Sequence, residues 1–343
     1  MKFTDLLPAR LGRPAAWARP ARQGLRGPYG RNDALAALQR FEGVSGTQGP
    51  ESLAFGPDQS CYSGFHDGRI VRFDARGHLL RTVCNTGGRP LGLRFHPDGS
   101  LLVCDARRGL LRVTLAGTAE VIAESAEGQR FGFTDDLDIS ADGRYVYFTD
   151  ASSRWHYEED HLDLIEHGGH GRLLRCDLVT GEVLVLFHGL QFANGVTLGP
   201  DDAYVLVVET GQYRVWRCWL KGARAGSAEV WLENLPGFPD NIRFNGRDRF
   251  WLAIPAPRNP LLDVLAPHPL LRFGLLQYAR YLPVPVPHAG IVLGFDLEGN
   301  LVANLQHHGR GAYAFITQAL EHKGWLYCSS LQEGTLARLP LPQ

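Results

Sequence analysis

One short turn recurs down this chain, and its spacing limits what the chain folds into more than any other feature. Placed at Asp58, Asp98, Asp142, Asp201, Asp248 and Lys323, the turns lie 40, 44, 59, 47 and 75 residues apart. Seven residues before each stands the opening of an apolar segment: Glu51, Leu91, Asp135, Asn194, Asn241 and Ile316. In the first period four strand-like runs follow one another, at 52–55, 60–64, 68–73 and 79–83. Several short strands in every forty-odd residues are the signature of a propeller blade. The pattern predicts an all-β fold, a six-bladed β-propeller closed into one ring, in place of the two domains that 343 residues suggest by length alone.

Closure is the next requirement, because an open ring leaves unpaired strand edges. After the turn at Lys323 only two further strand-like runs remain, so the last blade is one strand short. The missing strand is expected from residues 38–44. This divides the chain into an N-terminal arm, 1–36, and the propeller, 37–343. Two long periods carry insertions. Residues 151–170 hold four of the thirteen histidines, and residues 255–288 hold eight of the twenty-one prolines around an expected helix at 269–281. The leucines and aromatics of that helix occupy more than one face and must be covered. Together the insertions are expected to form a helical lid over the central channel; a peripheral membrane contact through 255–288 or a subunit contact is the other outcome.

The formal net charge is −1, from 35 basic and 36 acidic residues, which provides no field for nucleic acid. The expected partner is a small-molecule substrate. Six cysteines occur without a Cys-x-x-Cys, which argues against zinc, and most sit in strand patterns where a thiol acts as a small core residue. No apolar run has the length of a membrane span, and the first residues lack the apolar core of a signal peptide. A cytoplasmic protein is the expectation. Residues 1–31 hold seven basic residues against Asp5 and read as a surface-binding arm, a transit peptide or, preferably, a solvated arm lying on the body.

Asp and Asn are poor strand residues, and an unpaired buried carboxylate is costly. Yet Asp240 and Asn241 stand side by side at the mouth of an apolar strand, and Glu51, Asp135 and Asn194 occupy the matching level of three other blades. In a propeller these innermost positions surround the axis. Oxygen ligands without thiol or imidazole suit a hard cation, calcium (Ca2+) better than magnesium. The same residues also fit a role as caps of blade termini through backbone hydrogen bonds. Four oxygens at one offset favour the metal.

The ordered motifs Phe-Thr-Asp135-Asp136-Leu-Asp, Tyr-Phe-Thr-Asp-Ala-Ser-Ser-Arg-Trp155, Asn194-Gly-Val, Leu-Pro-Gly-Phe238-Pro-Asp240-Asn241-Ile and Glu-His-Lys-Gly-Trp-Leu-Tyr-Cys resemble the strictosidine synthase-like family, which is related to paraoxonases. The likeness runs from about residue 40 to the end. It implies a six-bladed propeller with axial calcium held by Glu51, Asp135, Asn194, Asp240 and Asn241. Two positions depart from the family. Asp135 stands where the family usually has Asn, and Thr317 matches the catalytic glutamate of true strictosidine synthases. Loss of that acid argues against Pictet–Spengler condensation.

The leading expectation is therefore a calcium-dependent hydrolase of esters or lactones. In it the ion polarises a carbonyl and a nearby base activates water. Asp240, Asp135 and Asp136 are the catalytic candidates. The histidine of the paraoxonase Pro-His-Gly motif is replaced here by Leu91, so no base is fixed by the resemblance. Leu91, Phe131, Trp155, His156, Phe192, Phe238 and Thr317 are expected to line the substrate pocket. His156 and His161 enter from the first insertion, where a solvated loop explains them equally well. Glu209 and Asp150 end apolar strands and fit turn capping as well as a pocket. Two other classes stay open: a condensing or cyclising enzyme of natural-product metabolism, and a non-catalytic propeller that calcium merely pins.

Overall fold

The computed structural model describes residues 12–279, 281 and 286–341, in which six four-stranded antiparallel sheets form a propeller. Residues 1–11 of the expected arm, including Lys2 and Arg10, lie outside the described residues, as do 280 and 282–285 of the second insertion. Numbered along the chain, the blades begin with inner strands Leu53–Phe55, Pro90–Phe95, Thr134–Ile139, Ala193–Leu198, Ile242–Phe244 and Ile316–His322. Each inner strand is followed outward by its sequence successors, apart from short hairpins and helices in the insertions.

The ring is held by seams between blades. Among the described residues six buried apolar clusters fill the seams, one at each blade-to-blade junction. The strand Leu101–Asp105 shows how the sequence produces them. Side chains alternate across a strand, so Leu101 and Val103 enter the seam with blade one, and Leu102 and Cys104 enter the seam with blade three. A strand buried on both faces reads as a continuous apolar run, which is what Leu-Leu-Val-Cys is. The six cysteines are all buried and unbridged.

Gln39–Arg40 supplies the outer strand of blade six, with Gln39 opposite Arg338 and Arg40 opposite Ala337. Flanking residues anchor it. Leu35 is buried in the seam between blades five and six, and Phe41 and Val44 in the seam between six and one. The ring therefore closes on itself through chain from both ends.

Near the axis the inner strands approach until only glycine fits. A Cβ on Gly195 of blade four would lie 2.5 Å from the Asn241 Cα and 2.6 Å from the Asp240 carbonyl. On Gly92 of blade two it would lie 2.7 Å from the Asp136 Cα. The ladders of blades two, three, four and six also slip at the start of the inner strand, as at Ala193/Val196. Such bulges re-aim side chains, here at the level of the predicted oxygens.

None of the described residues of the second insertion lines the axial cavity. Helix α1 (Asp160–Glu166) belongs to the first insertion, and α2 (Pro260–Leu265) and α3 (Pro269–Ala279) to the second. Leu276 and Ala279 of α3 pack on Trp155, Leu162 and Ile165. Buried Arg272 donates to the carbonyls of Ala15 and Ile165. Of the expected two-part lid, Tyr157, Glu158 and Asp160 of the first insertion reach the cavity, and α3 packs behind them on Trp155 and α1.

Two tests follow from this architecture. A chain starting at Gly49 loses the closing strand and the burial of Leu35, Phe41 and Val44, and should lose at least about 5 kcal/mol of stability in urea denaturation. Gly195→Ala forces blade four away from backbone atoms of blade five, and the same measurement should show a loss of about 1–3 kcal/mol.

Candidate functional site

The blade openings converge on a cavity of about 300 Å3 at the axis. Glu51, Asp135, Asn194 and Asp240 line it, from blades one, three, four and five. Asn241 lies beside them, its Nδ2 donating to the Glu51 Oε1 at 2.8 Å. Leu91, Phe133, Phe192 and Leu331 form an apolar wall. Tyr157, Glu158 and Asp160 descend from the first insertion, and Gln48, His66 and Gln332 complete the rim.

Four oxygens of this set are buried without a hydrogen-bond partner: Glu51 Oε2, Asn194 Oδ1, Asp240 Oδ1 and Asn241 Oδ1. Buried polar atoms in folded proteins are nearly always satisfied, so such a concentration at one level calls for a missing donor or cation. Electrostatics point the same way. Burial, opposed by Arg89 and reinforced by the charge of Asp136, pushes Glu51 up to about 7. Burial followed by the Glu51 charge holds Asp135 and Asp240 well above the usual carboxylate range. Three carboxyl groups this close resist ionising together unless a cation joins them. The donor set, carboxylate and amide oxygens only, fits calcium. Two of the four partnerless oxygens are amide; among the described residues no group of three or more His, Cys, Asp or Glu side chains alone forms a metal-holding cluster.

Beneath the cavity Asp136 is tied up. Its two carboxylate oxygens accept from both terminal nitrogens of Arg243, and Oδ2 also accepts from the Val196 amide at 2.9 Å. Both side chains of this pair are 1% exposed or less. Arg243 further donates to the Val196 and Ile242 carbonyls and reaches Gln318 Oε1. Asp136 is therefore a counter-ion under the site, and its expected role as a catalytic acid or base is corrected. Its neighbour Asp135 faces the cavity because the bulge between Thr134 and Leu137 turns consecutive side chains to different partners.

Of the expected pocket residues, Leu91 and Phe192 line the cavity. Thr317 lies against it from behind, donating to the Glu51 carbonyl at 2.5 Å together with Ser329 at 2.6 Å. Four lie elsewhere. Phe131 packs edge-on against Phe148 in the seam of blades two and three. The Trp155 indole donates to Glu166 and packs under α3. His156 is exposed, with Nδ1 3.2 Å from the Gly132 carbonyl. Phe238 packs edge-on against Tyr213. His161 meets the Ala279 carbonyl at 3.1 Å, joining α1 to α3. Asp150 and Glu209 brace blade ends by pairing with Arg172 and Arg214. Sequence reasoning missed Phe133, Tyr157 and Asp160. Phe133 stands two residues before Asp135 and was within reach of a motif reading; nothing local marks the other two.

The strictosidine synthase family profile matches residues 135–223, and that of the strictosidine synthase-like N-terminal region matches 27–73. The chain is 38% identical over 315 residues to the adipocyte plasma membrane-associated protein of Danio rerio, covering 85% of this chain and 75% of that one. It is 35% identical over 318 residues to the strictosidine synthase-like 6 protein of Arabidopsis thaliana, covering 90% and 84%. Among solved structures, a gluconolactonase from Xanthomonas campestris superposes with a TM-score of 0.63 at 16% identity, over 90% of this chain and 91% of that one. A calcium-binding regucalcin from Agrobacterium tumefaciens gives 0.60 at 16%, over 87% and 90%. These two share the propeller fold. The cytoplasmic placement expected from sequence is corrected by relatives named as plasma membrane-associated in Danio rerio, Rattus norvegicus and Homo sapiens. Among the described residues no helix is long and apolar enough to cross a membrane.

The raised carboxyl groups set the sign of a pH effect. With chelator present, folded Glu51 holds its proton to about pH 7 whereas an unfolded glutamate releases it near 4.5. The folded state then binds more protons in that window, so stability falls as pH rises through it. Calcium titrated at pH 8 should restore the melting temperature. Glu51→Gln should raise the chelated melting temperature and abolish the response to calcium.

Proposed function

This chain belongs to the strictosidine synthase-like family, and from that premise we propose that it is a calcium-dependent hydrolase of esters or lactones, acting in the axial cavity. The observation that carries the proposal is the set of four partnerless buried oxygens facing one apolar wall. Glu51, Asp135, Asn194, Asp240 and Asn241 would hold the ion, which when bound supplies a Lewis acid for a carbonyl oxygen.

The chain's own residues do the rest. Leu91, Phe133, Phe192 and Leu331 accept the apolar part of the substrate and turn its carbonyl to the polar floor. Thr317 and Ser329 fix the Glu51 backbone from behind. Asp160 opens α1 and reaches the cavity from the roof, opposite Asp135, whose carboxyl group its charge raises. Burial raises Asp160 itself, a setting in which a carboxylate accepts a proton from water more readily. Asp160 is thus the preferred general base, ahead of Asp240 and Asp135, which are needed as ligands. Tyr157 closes the roof, its hydroxyl accepting from Arg89 Nε at 3.1 Å and lying 2.9 Å from His66 Nδ1. Condensation of an amine with an aldehyde is disfavoured, because the hydroxyl of Thr317, at the position of the synthase acid, is engaged by the Glu51 carbonyl. Membrane association, which the names of the relatives carry, is proposed for this chain as well.

A panel of aryl esters and lactones assayed with calcium and with chelator tests this reading. Turnover should vanish on chelation, and Asp160→Asn should lower kcat by about 10²–10⁴ while leaving the calcium-dependent melting shift intact. A calcium-dependent melting shift without turnover of any member of the panel would make the ion a structural pin.

A further inference from the structure

Helices α2 and α3 bury charged side chains and expose apolar ones, although Leu276 and Ala279 of α3 also pack inward. Their charged residues Asp263 and Arg272 are each only 2% exposed, Asp263 paired with Arg258 and Arg272 capping carbonyls. Four of their leucine and valine side chains face outward: Leu261 is 48% exposed, Val264 61%, Leu270 58% and Leu271 59%. Tyr278 and Tyr281 continue the surface at 54% and 85%. A helix facing water shows the reverse arrangement. Scattered exposed leucines need no explanation, but a continuous patch marks a docking surface.

A basic strip borders the patch. Residues 12–31 contain five arginines and no acidic residue. They run beside the helices, with the Trp17 amide on the Ala266 carbonyl and Arg19 on the Asp263 carbonyl. Between this strip and the start of α2 lies a groove of about 600 Å3, lined by Arg22, Arg26, Arg31 and Arg258 and, among the described residues, by no carboxylate. Arg22, Arg26 and Arg31 are exposed and form no salt bridge among the described residues. This groove is remote from the axial residues and shares no lining residue with the cavity.

We propose that α2, α3 and the 12–31 strip form a docking face for an anionic phospholipid surface. The outward leucines and tyrosines enter the boundary between headgroups and acyl chains, and Arg22, Arg26 and Arg31 meet the phosphates. Charge complementarity selects this occupant: an apolar patch flanked by unopposed arginines matches a lipid leaflet of negative potential. The proposal gives membrane association a surface on this chain, and it stands on residues that play no part in the hydrolase reading.

The test is co-sedimentation of the full chain with vesicles of phosphatidylcholine alone and of phosphatidylcholine with about 30% phosphatidylserine. Binding is expected on the anionic vesicles and should weaken about five-fold for each arginine reversed in Arg22→Glu and Arg26→Glu. Leu270→Glu with Leu271→Glu should lower it at least about ten-fold. Both variants should keep the calcium-dependent melting shift of the parent, which separates docking from the axial site. Equal binding to both vesicles, or binding unchanged in both variants, overturns the proposal. So does displacement by inorganic phosphate at matched concentration, which would make the groove a free-anion site. Absence of vesicle binding, with a dimer in ultracentrifugation that Leu270→Glu and Leu271→Glu dissociate, would reassign the face to a second copy of the chain.

Discussion

A single buried guanidinium ties the ring together at its axis. Arg243, from blade five, holds the Asp136 carboxylate of blade three, the Val196 carbonyl of blade four and the Gln318 amide oxygen of blade six. Gln318 passes the connection to blade one, accepting from the Ser52 hydroxyl at 2.5 Å and donating to the Leu53 carbonyl at 3.1 Å. Blade two joins by contact, with Gly92 against the Asp136 backbone. A buried charge pair stabilises only where its remaining hydrogen bonds are filled, and here other blades fill those of both terminal nitrogens of Arg243, leaving Nε alone without a partner among the described residues. The network is thereby sensitive to the register of every inner strand.

That network also explains why the site above it is poised. Asp136 is paired from below with Arg243 and does not face the cavity, though its charge still raises Glu51 while that of Arg243 lowers it. Glu51, Asp135 and Asp240 are left facing one another in a space whose other wall is apolar. A cation resolves the repulsion and the orphaned oxygens in one step. The ring of carboxyl and amide groups is costly to fold while its charges and lone pairs stay unmatched.

The number of blades was legible because turn chemistry and strand alternation are local: Asp58, Asp98 and Asp142 mark hairpins wherever they stand. The level of Glu51, Asp135, Asn194 and Asn241 was legible for the same reason, since a constant offset from an equivalent turn places residues at an equivalent height. The pocket walls were not. Phe131 and Phe133 lie two residues apart, yet one enters a seam and the other the cavity, because Asp150 binds the backbone amides of Gly132 and Phe133 and bends the chain there. Asp160 and Tyr157 gave no signal, being brought over the axis only by the packing of α1 against α3. The lid misplacement has the same origin. Apolar residues all round a helix say that it is covered, and the inward pairing of Asp263 with Arg258 in α2 and of Arg272 with backbone carbonyls in α3 decides which faces are left out.

By itself the sequence determined the repeat, the closing strand and the ring of oxygens, because periodicity and the need to pair strand edges act along the chain. Only the tertiary structure decided which carboxylate is free. The offset from the turn singles out Asp135 for the ring, but nothing local says what becomes of Asp136, which Arg243, 107 residues further on, captures. Coulombic pairing falls with distance in space and takes no account of distance in sequence, so the choice appears only when blade five has been laid beside blade three's neighbour and the ring is closed.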